Sequence, residues 1–148
     1  MHKAFYASGF LYRPQTQQIL LQQLTKDTPN TSPIWSLIGG ESQKEEQAER
    51  TFQKIIAKLL KVKLDVKSIT AVYDYFHNEH KKIHFVLYGE VGERQPIRIP
   101  KGATFSWFTF QQTLKLPFSD QTKQDIIVAQ RVINAKIREL ENALINKG

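Results

Sequence analysis

The sequence predicts a single α/β domain in which a mixed β-sheet lies between helices. Three observations predict this class. Segments rich in β-branched and aromatic residues alternate with polar turns, an amphipathic helical pattern interrupts them near residue 50, and a helical segment closes the chain at about residues 120–146. At 148 residues and 41% hydrophobic content, the chain has enough mass for one core, so we assign residues 1–148 to one domain.

The first third of the chain predicts three strands. Lys3–Leu11 and Gln18–Leu24 are strand-like, and a polar turn joins them. Thr25–Pro33 has the composition of a polar loop, because it is rich in Thr, Asn, Ser and Pro. Ile34–Ile38 then predicts a short strand that ends at the Gly pair Gly39–Gly40.

A helix is predicted directly after the Gly pair. Ser42, with Glu45 three residues later, has the spacing of a capping box, so we expect Ser42 to cap this helix. Under that prediction Glu46 lies inside the helix. Apolar residues recur at helical spacing and form one face: Phe52, Ile55, Ile56, Leu59 and Leu60.

The remainder of the chain predicts a hairpin, one more strand and a long helix. Val66–Phe76 and Ile83–Val91 are rich in β-branched and aromatic residues and flank a polar turn, and Phe105–Phe110 is a further short strand. Asp120–Asn146 is predicted to be helical. This helix is longer than one small sheet needs, and its C-terminal part carries an apolar row that extends beyond the sheet: Ile137, Leu140 and Leu144.

Composition limits the functional classes. The chain contains no Cys, which excludes disulfides and thiolate metal sites and favours a cytoplasmic location. No apolar run approaches the length of a membrane span, and the N-terminus has no signal-peptide pattern, so no membrane association is expected. The net charge of +7 suits an anionic ligand such as a nucleotide or RNA, although a Lys-rich solvated surface also produces such a charge.

The segment that begins at Gly40 resembles the Nudix box, the signature of the Nudix pyrophosphohydrolases. That box reads Gly, five residues, Glu, seven residues, then Arg-Glu-apolar-any-Glu-Glu-any-Gly-apolar. An ungapped alignment from Gly40 places Glu46 at the first Glu and Lys54 at the Arg, and fills the two apolar positions with Ile56 and Val62. The order of strands and helices is also that of the family, so the resemblance implies a Nudix-like α/β/α sandwich.

The carboxylates of the box are missing. In the family, the helix Glu residues hold the divalent cations that bridge substrate phosphates, and one of them can act as a base. Here those three positions fall on Ile55, Lys58 and Leu59, the box Gly falls on Lys61, and no shift of register restores the pattern. Many members carry a further Glu shortly before a late Trp, but here the nearest acids are Glu90 and Glu93.

Basic residues replace the acids along the helix. These residues are Arg50, Lys54, Lys58 and Lys61. Their spacings of four, four and three place them on one side of the helix. One interpretation is that fixed cations contact phosphate directly, without metal; the alternative is that they form the solvated face of an amphipathic helix. The candidate ligand-binding residues are therefore Gly39, Gly40, Arg50, Lys54, Lys58 and Lys61.

A second set of candidates is acidic. Glu41, Glu45 and Glu49 are spaced by four, which predicts three carboxylates on one side of the first helical turns. One interpretation is that they hold a displaced Mg²⁺ ion with help from Glu90. Acids in a first turn also simply complement the helix dipole. The candidate metal ligands are Glu41, Glu45 and Glu90, and the candidate catalytic residues are Glu45, Glu46 and Glu49.

Three histidines flank the hairpin turn. His77, His80 and His84 have spacings that a zinc site tolerates. Strand alternation, however, favours rings on different faces, so we expect an ordinary polar turn.

Two functional hypotheses follow. The first is a binding or interaction module for a nucleotide or other phosphate ligand, without standard hydrolase activity. The alternative is a divergent pyrophosphohydrolase that cleaves a nucleoside diphosphate linked to another moiety, with Mg²⁺ as its cofactor. The apolar row of the last helix favours a homodimer, and RNA or protein partners stay open.

Overall fold

The computed structural model describes residues 4–24 and 33–146, so the predicted loop Thr25–Pro33 lies outside the described residues except for Pro33. One seven-stranded sheet organises the chain. In chain order the elements are β1 (Tyr6–Arg13), β2 (Gln18–Leu24), β3 (Ile34–Ser36), β4 (Ile38–Glu41), α1 (Ala48–Leu60), a 3-10 turn (Val66–Ser68), β5 (Ile69–His77), β6 (Lys82–Glu90), β7 (Thr104–Thr109), α2 (Phe110–Thr113) and α3 (Asp120–Asn146).

The sheet is mixed because β1 pairs in parallel with β6, whereas the other pairs are antiparallel. A parallel pair needs a long connection, and the segment between β1 and β6 includes α1. The predicted order of strands, helix, hairpin, strand and helix is therefore confirmed. Among the described residues, no helix has both the length and the apolar character that a membrane span requires.

Two hydrophobic cores lie on opposite faces of the sheet, since successive strand side chains point to opposite sides. In β1, Leu11 belongs to the core beneath α1, together with Phe52 and Ile56 of that helix. Phe10 belongs to the other core, where Ile126 of α3 packs. The structure is thus the predicted mixed sheet between helices.

A polar contact between the half-buried Tyr73 and the buried Asp125 joins α3 to the sheet. The hydroxyl of Tyr73 in β5 donates a 2.5 Å hydrogen bond to Oδ1 of Asp125, and Gln121 donates a second at 2.9 Å. Burial raises the pKa of Asp125, while the two hydrogen bonds act in the opposite direction. The contact fixes how α3 lies across β5.

The prediction that a strand Ile34–Ile38 ends at the Gly pair is wrong, because the pair lies inside a strand. The strand is interrupted at Leu37 and resumes as β4, where Gly39 pairs with Ser8 and Gly40 with Ala7. A Cβ on Gly39 would lie 2.7 Å from the carbonyl oxygen of Ala7. The close approach of β4 to β1 therefore requires glycine there.

The prediction that Ser42 caps the helix is wrong. Its Oγ accepts a 3.0 Å hydrogen bond from the amide of Phe5, and its own amide donates to the Phe5 carbonyl at 2.8 Å. Ser42 is buried against the segment before β1, and α1 begins only at Ala48, after Gln47 as an N-cap without a side-chain hydrogen bond. Glu46 consequently lies in the loop before the helix and not inside it.

Candidate functional site

An open cleft with a volume of about 700 Å³ runs along the C-terminal half of α1. One wall is the helix, and the other is the segment before β7. The amide of Arg98 donates a 3.0 Å hydrogen bond to the carbonyl of Leu60, which ties this segment to the end of α1. The lining residues are Gly39, Ile55, Lys58, Leu59, Lys61, Arg98, Ile99, Pro100 and Lys101.

Among the described residues, four cations line this cleft and no carboxylate does. Lys58 and Lys61 come from α1 and its C-cap, and Arg98 and Lys101 come from the opposite wall. All four are exposed. Within the described ranges only two ion pairs form, Lys54–Glu46 and Lys82–Glu41, so the four charges are not neutralised by acidic partners there. The cleft is therefore electropositive.

The floor of the cleft is apolar. Ile55 and Leu59 are partly buried and pack against the core beneath α1. A Cβ on Gly40 would lie 3.1 Å from Cδ1 of Ile55, so the glycine makes room for this side chain. The positions where the resemblance places three Glu residues thus carry two aliphatic side chains and an ammonium group, all at the cleft.

Magnesium does not fit this set of side chains. A Mg²⁺ site needs near-octahedral oxygen ligands, usually one or two carboxylates together with water and phosphate. Ile55 and Leu59 offer no donor atom, and the Lys58 ammonium repels a cation. The residues at the cleft therefore provide no magnesium ligands.

Two structural features lie at positions of the ungapped alignment from Gly40. Glu46 and Lys54, at the first Glu and the Arg of the box, form an ion pair at 2.6 Å, and the other oxygen of Glu46 accepts a 3.0 Å hydrogen bond from Thr51. The hydrogen bond from Lys54 lowers the pKa of Glu46. Lys61, at the box Gly, has a φ of 58°, in the left-handed region that favours glycine.

The predicted basic row is divided by the structure. Lys58 and Lys61 line the cleft, Lys54 is paired with Glu46, and Arg50 is exposed outside the cleft. Arg98 and Lys101 were missed in the sequence. They are close in sequence to one another, but no periodicity relates them to a helix that ends some forty residues earlier.

The predicted row of three acids on one side of the helix is wrong, because two of them precede α1. Glu41 ends β4 and forms an ion pair with Lys82, which lowers the pKa of Glu41. Glu45 is exposed in the following loop, and Glu49 lies in the first turn of α1. Glu90 ends β6 and lines a separate pocket beside α3. The structure does not bring these acids together.

The prediction that the histidine rings lie on different faces is also wrong. The hairpin register places Tyr75 opposite His84 and His77 opposite Lys82. Residues that are opposite or two apart share a face, so His77 and His84 are diagonal neighbours on one side. Across residues 4–24 and 33–146, these two and His80 form the only group of three acidic or histidine side chains close enough to share a metal ion.

No protein-family model and no curated protein matches the sequence. Solved structures are nevertheless similar over most of the chain. The NUDIX domain of Shewanella oneidensis NrtR, complexed with ADP ribose, has a TM-score of 0.65 at 17% identity and covers 90% of each chain. A mutT/nudix family protein from Listeria innocua has a TM-score of 0.68 at 13% identity, over 93% of this chain and 98% of that one.

A third similar structure is the C-terminal domain of mouse MUTYH in complex with human PCNA. Its TM-score is 0.65 at 13% identity, over 90% of this chain and 91% of that one. The TM-scores establish the architecture, whereas identities this low leave activity open. The architecture is the one that the resemblance from Gly40 implied: the protein has the Nudix fold.

Proposed function

We propose that the cleft beside α1 binds a phosphate-bearing nucleotide directly through its cations and does not hydrolyse it. One observation carries this proposal: Lys58, Lys61, Arg98 and Lys101 surround an apolar floor, and no carboxylate lies among the lining residues. An electropositive cleft without acids selects an anion and does not select a metal ion.

The two kinds of lining match two parts of a nucleotide. Arg98 can bind phosphate oxygens in a bidentate manner, and the Lys ammonium groups act as point charges. The aliphatic surface of Ile55, Leu59 and Ile99 offers contact for a base or a sugar. The cleft volume of about 700 Å³ is ordinary for a small-ligand site, and the net charge of +7 favours the approach of an anion.

The residues do not support the alternative of a divergent Mg²⁺-dependent hydrolase. Without carboxylates at the cleft, the phosphoryl charge and an attacking water have no metal ion to assist them. Glu46, which occupies the first Glu position of the box, accepts hydrogen bonds from Lys54 and Thr51 instead. Direct contact between cations and phosphate is the chemistry that this side-chain set supports.

ADP ribose is the first ligand to test, because the NUDIX domain of Shewanella oneidensis NrtR was solved in complex with it. The test is calorimetric titration with ADP ribose and with ADP, in the presence of EDTA, at low and at high salt. We expect binding without metal that weakens as salt rises, since exposed charges are screened.

A matched pair of charge reversals locates the site. Lys58→Glu with Arg98→Glu is expected to weaken binding at least about tenfold, because both side chains line the cleft. Arg50→Glu with Lys63→Glu changes the net charge equally at exposed positions outside the cleft and serves as the control. Equal affinities in the two variants, or binding that requires Mg²⁺, contradict the proposal.

A further inference from the structure

Three histidines converge at the tip of the β5–β6 hairpin, away from the α1 cleft. His77 is the last residue of β5, His80 lies in the turn, and His84 lies in β6. One ring nitrogen from each lies within 4.8 Å of the others. His84 alternates along β6 with Val86 and Tyr88, which belong to the core beneath α3. The cluster is therefore on the face of the sheet opposite the cleft.

The ring nitrogens of the cluster are close together, although the rings themselves are stacked. The rings of His77 and His80 are stacked with centroids 4.1 Å apart, and those of His77 and His84 with centroids 4.6 Å apart. Nδ1 of His80 lies 3.5 Å from Nε2 of His84. In a tetrahedral zinc site with bonds of about 2.0–2.1 Å, neighbouring nitrogens are roughly 3.4 Å apart. All three ligand nitrogens lie within 4.8 Å of one another, so side-chain rotations that open the stacked arrangement have to bring the third nitrogen to that separation.

Contacts around the cluster orient two of the rings. The hydroxyl of Tyr75 lies 3.4 Å from Nδ1 of His84, and the ring of Tyr6 stacks on His84 at 4.9 Å. The amide of His80 donates a 3.2 Å hydrogen bond to Nδ1 of His77. With Nδ1–H of His84 donating to the Tyr75 hydroxyl, Nε2 of His84, which contacts Nδ1 of His80, carries the lone pair that can bind a metal ion, and an outer contact of this kind is typical of metal-binding histidines. Nδ1 of His77 accepts a hydrogen bond and therefore carries a lone pair, so this nitrogen can bind the ion once the contact with the His80 amide is released.

We propose that His77, His80 and His84 bind one Zn²⁺ ion, with water as the fourth ligand. Imidazole nitrogen is a preferred donor for zinc and a poor one for magnesium. An ion can reach the cluster from solvent because His80 is exposed, although His84 is buried. The neighbouring cation Lys82 is paired with Glu41, which reduces its repulsion of the metal. Bound zinc would link His80 in the turn to His84 in β6 and so stabilise the tip of the hairpin.

The test uses the full chain, freed of metal by chelator and then dialysed into buffer without chelator. Calorimetric titration with ZnCl₂ is expected to give one ion per chain, and MgCl₂ is expected to give no binding at this cluster. His80→Ala is expected to weaken zinc binding at least about tenfold. Because His80 is exposed in the turn, its replacement leaves the core intact. Asn78→Ala changes an exposed residue of the same turn and is the control.

A spectroscopic measurement separates binding at the cluster from adventitious binding elsewhere. Co²⁺ added to the metal-free chain is expected to give the visible absorption of a nitrogen-bound site, which His80→Ala loses and Asn78→Ala keeps. The proposal is overturned if the full chain binds no zinc at one equivalent, or if His80→Ala binds it as tightly as the unchanged chain. Because the nucleotide titrations are made in EDTA, neither outcome affects the proposal for the cleft.

Discussion

The Nζ of Lys54 donates a 2.6 Å hydrogen bond to Oε2 of Glu46, eight residues earlier in the chain. This contact fastens the loop before α1 to the side of the helix. It also neutralises one member of the basic row and leaves Lys58 and Lys61, closer to the C-terminal end of the helix, as the members that line the cleft. The electropositive site is therefore confined to one end of α1.

Glu46→Gln is expected to lower the free energy of unfolding at pH 7 by about 0.5–1 kcal/mol, since Lys54 is half exposed and such pairs contribute little. The pKa of Glu46 lies below its ordinary value of 4.5. Its stabilising effect is thus present above pH 4.5 and is lost as the pH falls through the lowered pKa. Urea denaturation of both proteins from pH 7 downward measures the difference. Glu45→Gln, at an exposed neighbour, is the control, and equal stabilities of the two variants at pH 7 contradict the prediction.

Lys61→Gly is expected to stabilise the protein by about 0.5–1 kcal/mol. Lys61 ends α1 with a φ of 58°, a conformation that costs an L-residue free energy and costs glycine almost none. Lys63→Gly, two residues later and without a positive φ, is expected to give no gain. Thermal and urea denaturation measure both variants. A Lys61→Gly protein less stable than the unchanged chain argues against strain at this position. The same variant should bind ADP ribose more weakly, because it removes a cation from the cleft.

No appreciable Mg²⁺-dependent hydrolysis is expected for nucleoside triphosphates, dinucleoside polyphosphates or nucleotide sugars. The reason is that Ile55, Lys58 and Leu59 cannot ligate a hard cation. Product formation is measured by chromatography with Mg²⁺ and with chelator. Turnover of about 1 per second or faster that disappears with chelator refutes the prediction. Loss of such turnover in Glu45→Gln or Glu46→Gln would then locate a displaced site.

The end of α3 is expected to mediate a homodimer. Leu140, Leu144 and Ile145 are 67%, 74% and 75% exposed, whereas Ile137 packs against the core beneath α3. An exposed apolar row of this kind commonly marks an interface. Light scattering at micromolar concentration is expected to give a dimer mass for the full chain and a monomer mass for Leu140→Lys with Leu144→Lys. Arg138→Ala with Glu141→Ala, at exposed polar positions of the same helix, should stay dimeric. A monomer mass for the full chain contradicts the prediction.

Local patterns were enough to predict the order of strands and long helices in this fold, but not β4, α2 or the start of α1. The predicted bounds Gln18–Leu24 and Asp120–Asn146 are those of β2 and α3. Strand alternation and helical periodicity are properties of neighbouring residues, and they are readable without knowing what packs against them. The lack of acids at the helix positions of the box is likewise a property of the sequence alone.

Contacts between distant segments decided the site. Ser42 has the local spacing of a helix cap, yet its hydroxyl accepts a hydrogen bond from the amide of Phe5, because β4 pairs with β1. Arg98 and Lys101 reach the cleft because the backbone amide of Arg98 donates a hydrogen bond to the end of α1. The histidines share a face because of the hairpin register. Periodicity within one segment determines which residues form a helix or strand, but the pairing of segments far apart in the chain determines which side chains meet.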